Sequence, residues 1–141
     1  AHTSCFGIDP AVGFAVDVGF TTDIPDVAKK ICGDIKLGKG PEITRSADNN
    51  IVLGRLMRKV AAEKEIACQE SVGHRATGGT DTAQMQMTRA GVATALVSIP
   101  NRYMHSAVEI CDLRDVEGAV RLLTETIAAL QGNETFIPGI D

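Results

Sequence analysis

Apolar runs of strand length alternate with stretches of helical periodicity along this chain, and that alternation limits the fold more than any other feature. Val12 to Val18 and Val92 to Ile99 are short, apolar and partly β-branched, as strands covered on both faces are. Pro100 is expected to end the second. Ile66 to Val72 and Ala107 to Cys111 read as further strands. Between them, Ile51, Val52, Leu56, Val60 and Ala61 recur at helical spacing through about Lys64, behind N-cap candidates in Ser46-Ala47-Asp48-Asn49-Asn50. Thr80 or Asp81 can cap a helix running to about Ala90 and closed by Gly91. Asp112 can cap a last helix, in which Val116, Val120, Leu123, Ile127 and Leu130 form one apolar stripe before Gly132. Leu37-Gly38-Lys39-Gly40-Pro41 is turn-rich. Such alternation predicts an α/β three-layer sandwich, a mostly parallel sheet with helices on both faces. One domain is expected over residues 1–132, followed by an aperiodic tail, 133–141.

Composition narrows the partners. The formal charge is −4, without the basic face that a phosphate backbone or an anionic membrane surface requires. Neither nucleic acid nor membrane is an expected partner. No apolar run approaches the roughly 18 residues of a membrane span, and no basic-then-apolar leader opens the chain. It opens Ala-His-Thr-Ser without methionine, which points to processing or to a piece of a longer protein. Cys5, Cys32, Cys68 and Cys111 lack C-x-x-C spacing, so free, mostly buried thiols in a reducing cytoplasm are expected.

Three places could carry chemistry. Asp17, between Val16 and Val18 near the end of a strand, is expected in an apolar setting; it is a candidate metal ligand or catalytic carboxylate, or else a turn cap. His105 follows the strand that ends at Ile99-Pro100, also at a carboxyl end, where a ligand and a satisfied surface histidine are both consistent with its position. His2 and His74 lie in polar stretches. Gly78-Gly79-Thr80-Asp81 opens a helix whose N–H groups could face an anion, but it lacks the lysine of a phosphate-binding loop and the full G-x-G-x-x-G spacing, and a capped tight turn explains the pattern better. No nucleophile elbow is present.

Taken in order, Phe14-Ala15-Val16-Asp17-Val18, Thr22-Asp23-Ile24-Pro25, Leu37-Gly38-Lys39-Gly40-Pro41, Gly79-Thr80-Asp81 and the block from Ser98 through Arg102-Tyr103-Met104-His105 to Glu109 resemble the tetrahedral (TET-type) aminopeptidases. That family includes glutamyl and deblocking aminopeptidases, and some members are labelled endoglucanases. The resemblance covers residues 1 to about 130.

The resemblance implies a cytoplasmic enzyme, oligomeric, with two divalent metal ions, zinc or cobalt, acting on peptides with a free N-terminus. Asp17 and His105 match two of the family's metal ligands, one for each metal. The family's other ligands and its general-base Glu lie upstream of the matched stretch. No catalytic residue is therefore expected in this chain, and the missing N-terminal half of the domain becomes an implied partner. Gly79, Thr80, Asp81, Arg102 and Tyr103 are expected to line or support the substrate pocket, and Glu109 to orient the loop carrying His105. Gly19 stands where the family commonly has Thr, and Thr82 where it has Ala. Each metal would keep one ligand from this chain, where zinc normally takes three or four, so the chain alone is expected to bind metal weakly and to be inactive. The alternatives are a non-catalytic half-domain used in an assembly, favoured by an exposed sheet edge, and an endoglucanase, against which the absence of Trp counts.

Overall fold

The computed structural model describes residues 1–72 and 80–139. His74, Gly78 and Gly79 lie outside the described residues. Elements follow in the order α1 (His2–Ile8), β1 (Val12–Phe20), α2 (Lys29–Cys32), β2 (Glu42–Arg45), α3 (Ile51–Glu63), β3 (Gln69–Val72), α4 (Asp81–Gln86), β4 (Ala93–Arg102), β5 (Ile110–Cys111) and α5 (Leu113–Ala129). The sheet order is β1-β4-β2-β3, with β5 beside β4. The long pairing of β1 with β4 is parallel, as is that of β2 with β3, while β4 meets β2 and β5 in antiparallel register.

Helices cover both faces. Leu53, Met57 and Ala61 of α3 and Ala119 and Leu122 of α5 bury against Ile43, Ala95 and Val97, forming the main core. Each large aliphatic sealed there contributes about 1.5–3 kcal/mol. On the opposite face Met85 of α4 and Cys5 of α1 meet Ala15 and Leu96, a register pair of β1 and β4. Period-two alternation therefore assigns every strand residue to one of two layers. Asn50 caps α3 through Val52 N and Leu53 N, Thr80 accepts from Thr82 N to cap α4, and Asp112 accepts from Arg114 N to cap α5.

Several expectations need correction. Residues 2–8, whose mixed sequence shows no clear period, form a helix. Strand β4 runs through Pro100 to Arg102. α4 stops at Gln86. On α5 the buried residues are Asp115, Ala119, Leu122 and Thr126, while of the apolar stripe Leu123 packs on the main core and Val120 and Ile127 are exposed. The helix meets the sheet through its smaller side chains because Gly118 and Ala119 allow close approach, with Pro41 packed near Gly118. Cys32 and Cys111 are exposed, so only Cys5 is fully buried, and all four cysteines are free thiols. Phe136 of the tail packs on the main core, and its carbonyl accepts from Asn50 Nδ2 at 2.7 Å.

Candidate metal-ligand positions at the end of the sheet

The register puts Asp17 opposite Ser98, and Ser98 opposite Glu42, so three polar side chains share one face across β1, β4 and β2. Asp17 is exposed, not set in an apolar surround, because β1 is an edge strand among the described residues and its flanking Val16 and Val18 are themselves 53% and 38% exposed. Its Oδ1 accepts from Val18 N at 2.8 Å. The carboxylate opens into a cleft lined by Val16, Thr80, Asp81, Ala83 and Gln84. Thr80 and Asp81 thus do sit with Asp17, at the first turn of α4.

Glu42 escaped the sequence reading. It is 3% exposed, and its Oε1 has no hydrogen-bond partner. Burial pushes its carboxyl up to about 7, opposed by a hydrogen bond from the Ser71 hydroxyl and assisted by the charge of Asp115. Oε1 occupies the space that a Cβ at Gly19 would need, so the glycine at 19 and the acid at 42 are fitted to each other. The signal was present in Gly40-Pro41-Glu42-Ile43, where a carboxylate opens an otherwise apolar strand behind a turn.

His105 is built differently. It lies just beyond β4, in a tight loop where both Tyr103 and His105 take positive φ, 61° and 65°. Such a backbone persists only when its surroundings hold it. Glu109 does so: Oε1 accepts from His105 N at 2.9 Å and Oε2 from Asn101 Nδ2 at 2.6 Å. The His105 ring meets Phe20 edge to face, with centroids 5.7 Å apart. Arg102 is committed elsewhere, its Nε and Nη2 donating to the two oxygens of Asp23 at 2.9 and 2.6 Å. Asp23 also accepts from Leu37 N. The Arg102 guanidinium holds the Asp23 carboxyl well below the usual carboxylate range. Arg102 therefore ties the end of β4 to the loop after β1 and supports the site rather than presenting its charge to a ligand. Tyr103 is exposed.

Asp115 is the second buried acid that the sequence reading passed over. Fully buried on α5, it accepts from Gly38 N at 2.7 Å and Gly40 N at 2.8 Å, fixing the turn ahead of β2. Gly40 has φ 92°, and a Cβ there would collide with the Ala67 carbonyl, so the turn admits only glycine.

Asp17 is an open carboxylate and His105 an exposed imidazole on a braced loop, so each is fit to donate to a metal. Among the described residues no three His, Cys, Asp or Glu side chains come together to hold one. Among the described residues the two candidates stand apart rather than forming a centre.

Residues 1–122 match the M42 glutamyl aminopeptidase family. A lysyl aminopeptidase from Pyrococcus furiosus is 41% identical over 131 residues, which are 93% of this chain and 37% of that protein. Among solved structures, a TET aminopeptidase from a marine sediment Thaumarchaeota archaeon superposes with a TM-score of 0.84 at 32% identity, over 92% of this chain and 36% of that one. A TET peptidase from Pyrococcus horikoshii, described as assembling into a tetrahedron or a large octahedral shell, gives 0.61 at 32% identity over 82% and 32%. The chain spans little more than a third of the length of the curated relatives it matches.

Proposed function

This chain belongs to the M42 glutamyl aminopeptidase family, and from that premise we propose that it is part of a metal-dependent aminopeptidase domain, contributing one ligand to each of two divalent metals. Zinc or cobalt would be the metals, a peptide with a free N-terminus the substrate, and the cytoplasm, where four free thiols persist, the compartment. What supports the reading is that Asp17 and the loop of His105 belong to β1 and β4, two strands paired in parallel along nine residues, at the carboxyl ends where α/β sheets bind ligands.

Bound metal would polarise the terminal peptide carbonyl and acidify a water. The chain's own residues orient and hold. Asp17 offers an exposed carboxylate oxygen beside the first turn of α4. Glu109 and Asn101 fix the backbone that presents His105. Arg102 and Asp23 lock the strand end from which that loop leaves. Gly79, which lies outside the described residues, together with Thr80, Asp81 and Tyr103, would border the substrate. The base that deprotonates the water is assigned to the part of the domain outside this chain, which is thereby a required partner, and the relatives' shells favour a homo-oligomer for the completed enzyme.

The experiment is calorimetric titration of the chain with zinc and cobalt, beside hydrolysis of aminoacyl p-nitroanilides, with and without the rest of an M42 domain. The expected result is weak metal uptake and no hydrolysis alone, and both restored on completion. Hydrolysis by the chain alone would overturn the reading. A stable metal-free complex that never hydrolyses would favour the second reading, a non-catalytic interaction half-domain, for which the edge of β1, unpaired among the described residues, speaks.

A further inference from the structure

A buried acid stands beside Asp17 and has no part in the chemistry described so far. Asp17, Ser98 and Glu42 are register neighbours across β1, β4 and β2, and Thr44 pairs with Ser71 one step further along β2 and β3. Residues two apart on a strand share a face, so Glu42, Thr44, Ser71 and Ser98 form one polar patch on the α4 side, beyond Ala15 and Leu96. Glu42 is 3% exposed, and its Oε1 has no hydrogen-bond partner among the described residues. The charge that acts on it, that of Asp115, is of its own sign.

The direction of the hydrogen bonds tells what is missing. The Ser71 hydroxyl donates to the Glu42 carboxyl, and a hydroxyl has one proton to give. Thr44 Oγ1, 3.0 Å from Ser71 Oγ, must then donate to Ser71, and Ser98 Oγ, 3.3 Å from Thr44 Oγ1, must donate to Thr44. Every proton of the series runs toward the acid. Lone pairs are what remain, on Ser98 Oγ and on Glu42 Oε1. Both side chains border a gap at Gly19, where an added Cβ would strike Oε1 and come within 2.9 Å of Ser98 Cβ. Gly19 is itself half-buried, so solvent reaches the edge of the gap. Only Val18 intervenes between Gly19 and Asp17, and it faces the other side of the sheet.

We propose that Glu42 and Ser98 receive a primary ammonium, that of a lysyl side chain at the N-terminus of the peptide substrate. An ammonium has three donors and no acceptor, the complement of two oxygens that offer only lone pairs. It also brings the positive charge that a buried carboxylate lacks. Length selects as well as charge. Gly19 lies two residues beyond Asp17, roughly 7 Å along the strand. A residue whose carbonyl is held by a metal on Asp17 reaches the gap with the four-carbon stem of lysine and falls short with alanine or serine. A guanidinium wants a planar pair of acceptors, which one carboxylate oxygen and one hydroxyl do not supply. Glu42 is therefore a specificity-determining residue, and the missing side chain at Gly19 is its opening. That the ammonium belongs to a peptide rests on the proposed function; the ammonium site itself does not.

Two readouts test the site and the substrate separately. In the chain alone, the amide resonances of Gly19 and Ser98 should shift on titration with lysinamide and not with norleucinamide, which has the same α-amine and the same stem without the ammonium. Glu42→Gln should weaken the lysinamide response about tenfold or more, because the charged acceptor is lost while the shape is kept. No response to lysinamide, a response shared by both amides, one unchanged in Glu42→Gln, or one that potassium chloride alone reproduces would each overturn the inference. In the chain completed by the rest of an M42 domain, lysyl p-nitroanilide should be preferred to norleucyl p-nitroanilide. Glu42→Gln should cut the ratio of their kcat/KM values about tenfold or more, and Thr44→Val, which frees the Ser98 proton, by a smaller factor. Circular dichroism should show both variants folded. A ratio indifferent to Glu42→Gln would overturn the inference and leave the aminopeptidase reading intact. A completed domain that hydrolyses neither substrate would sink the proposed function, and the shift titration would still decide the ammonium site.

Discussion

The two candidate ligands sit at the ends of neighbouring strands and are prepared to different degrees. His105 stands on a loop held at its backbone by Glu109, with its strand end clamped by Arg102 and Asp23 and its ring edge-on to Phe20. Asp17 lies at a bare edge, bonded only to the amide of its own neighbour among the described residues, with exposed valines on either side. Catalytic geometry is held by surrounding side chains and their hydrogen bonds. The His105 corner is therefore complete within this chain, whereas the Asp17 corner depends on whatever covers β1. The clearest way to break that contrast is to remove the clamp. Arg102→Met leaves the half-buried Asp23 carboxylate without its bidentate partner and should destabilise the chain more than any other change considered below. Denaturant unfolding measures it. Asp23→Asn in the same chain should recover part of the loss, and failure to recover would mean that packing, not charge, was removed.

Next in size is a difference of sign between two acids. Asp23, its folded pKa depressed by Arg102, stabilises the fold above its unfolded pKa, near 4, and that contribution is lost as pH falls below it. Glu42, on the Asp17 face, has a folded pKa raised to about 7 by burial. Its contribution is complete below the unfolded value near 4.5 and is lost as pH rises to about 7. The loss should be about 2 kcal/mol, since each pKa unit is worth about 1.4 kcal/mol and a real carboxyl relaxes toward water. Stability measured from pH 4 to pH 8 should therefore fall, and Glu42→Gln should flatten the fall. A profile that stays steep in the variant would assign the titration to another group.

Glu109→Ala comes third, at about 1 kcal/mol, because it removes one charge-assisted bond to Asn101 and one to the His105 amide from an exposed carboxylate. Its sharper consequence is local. Amide exchange at His105 should speed up more than at Asp17, which has no comparable brace to lose. Equal acceleration at both would erase the distinction between the corners.

Much of this was legible in the sequence, and for identifiable reasons. The positions of β1, β3, β4, α3 and α5 follow from periodicity, whereas those of α1, α2 and β2 do not, and the caps at Asn50, Thr80 and Asp112 follow from side chains that can accept from a first-turn amide. What escaped was set by contacts distant along the chain. The burial of Glu42 and Asp115 depends on Gly19 and on the amides of Gly38 and Gly40, tens of residues away. Periodicity reports the apolar stripe of α5 without saying what it meets: Leu123 packs on the main core, whereas Val120 and Ile127 are exposed. Asp17 was expected among apolar neighbours because Val16 and Val18 flank it, and the flanks prove exposed where β1 is the last strand.

The smallest expected effect is the most informative about Asp17. Asp17→Asn removes a charge that nothing among the described residues pairs, from a side chain already in water, so unfolding free energy should change by less than about 0.5 kcal/mol. A conserved shape with an amide in place of the carboxylate also keeps the bond from Val18 N. If stability falls by more than about 1 kcal/mol, Asp17 is holding this chain together and its strand is not waiting for a partner. If stability is unchanged while zinc uptake by the completed domain drops at least tenfold, the carboxylate is spent on the metal and the two corners divide the work as their surroundings imply: His105 positioned from within, Asp17 positioned only once β1 is no longer an edge.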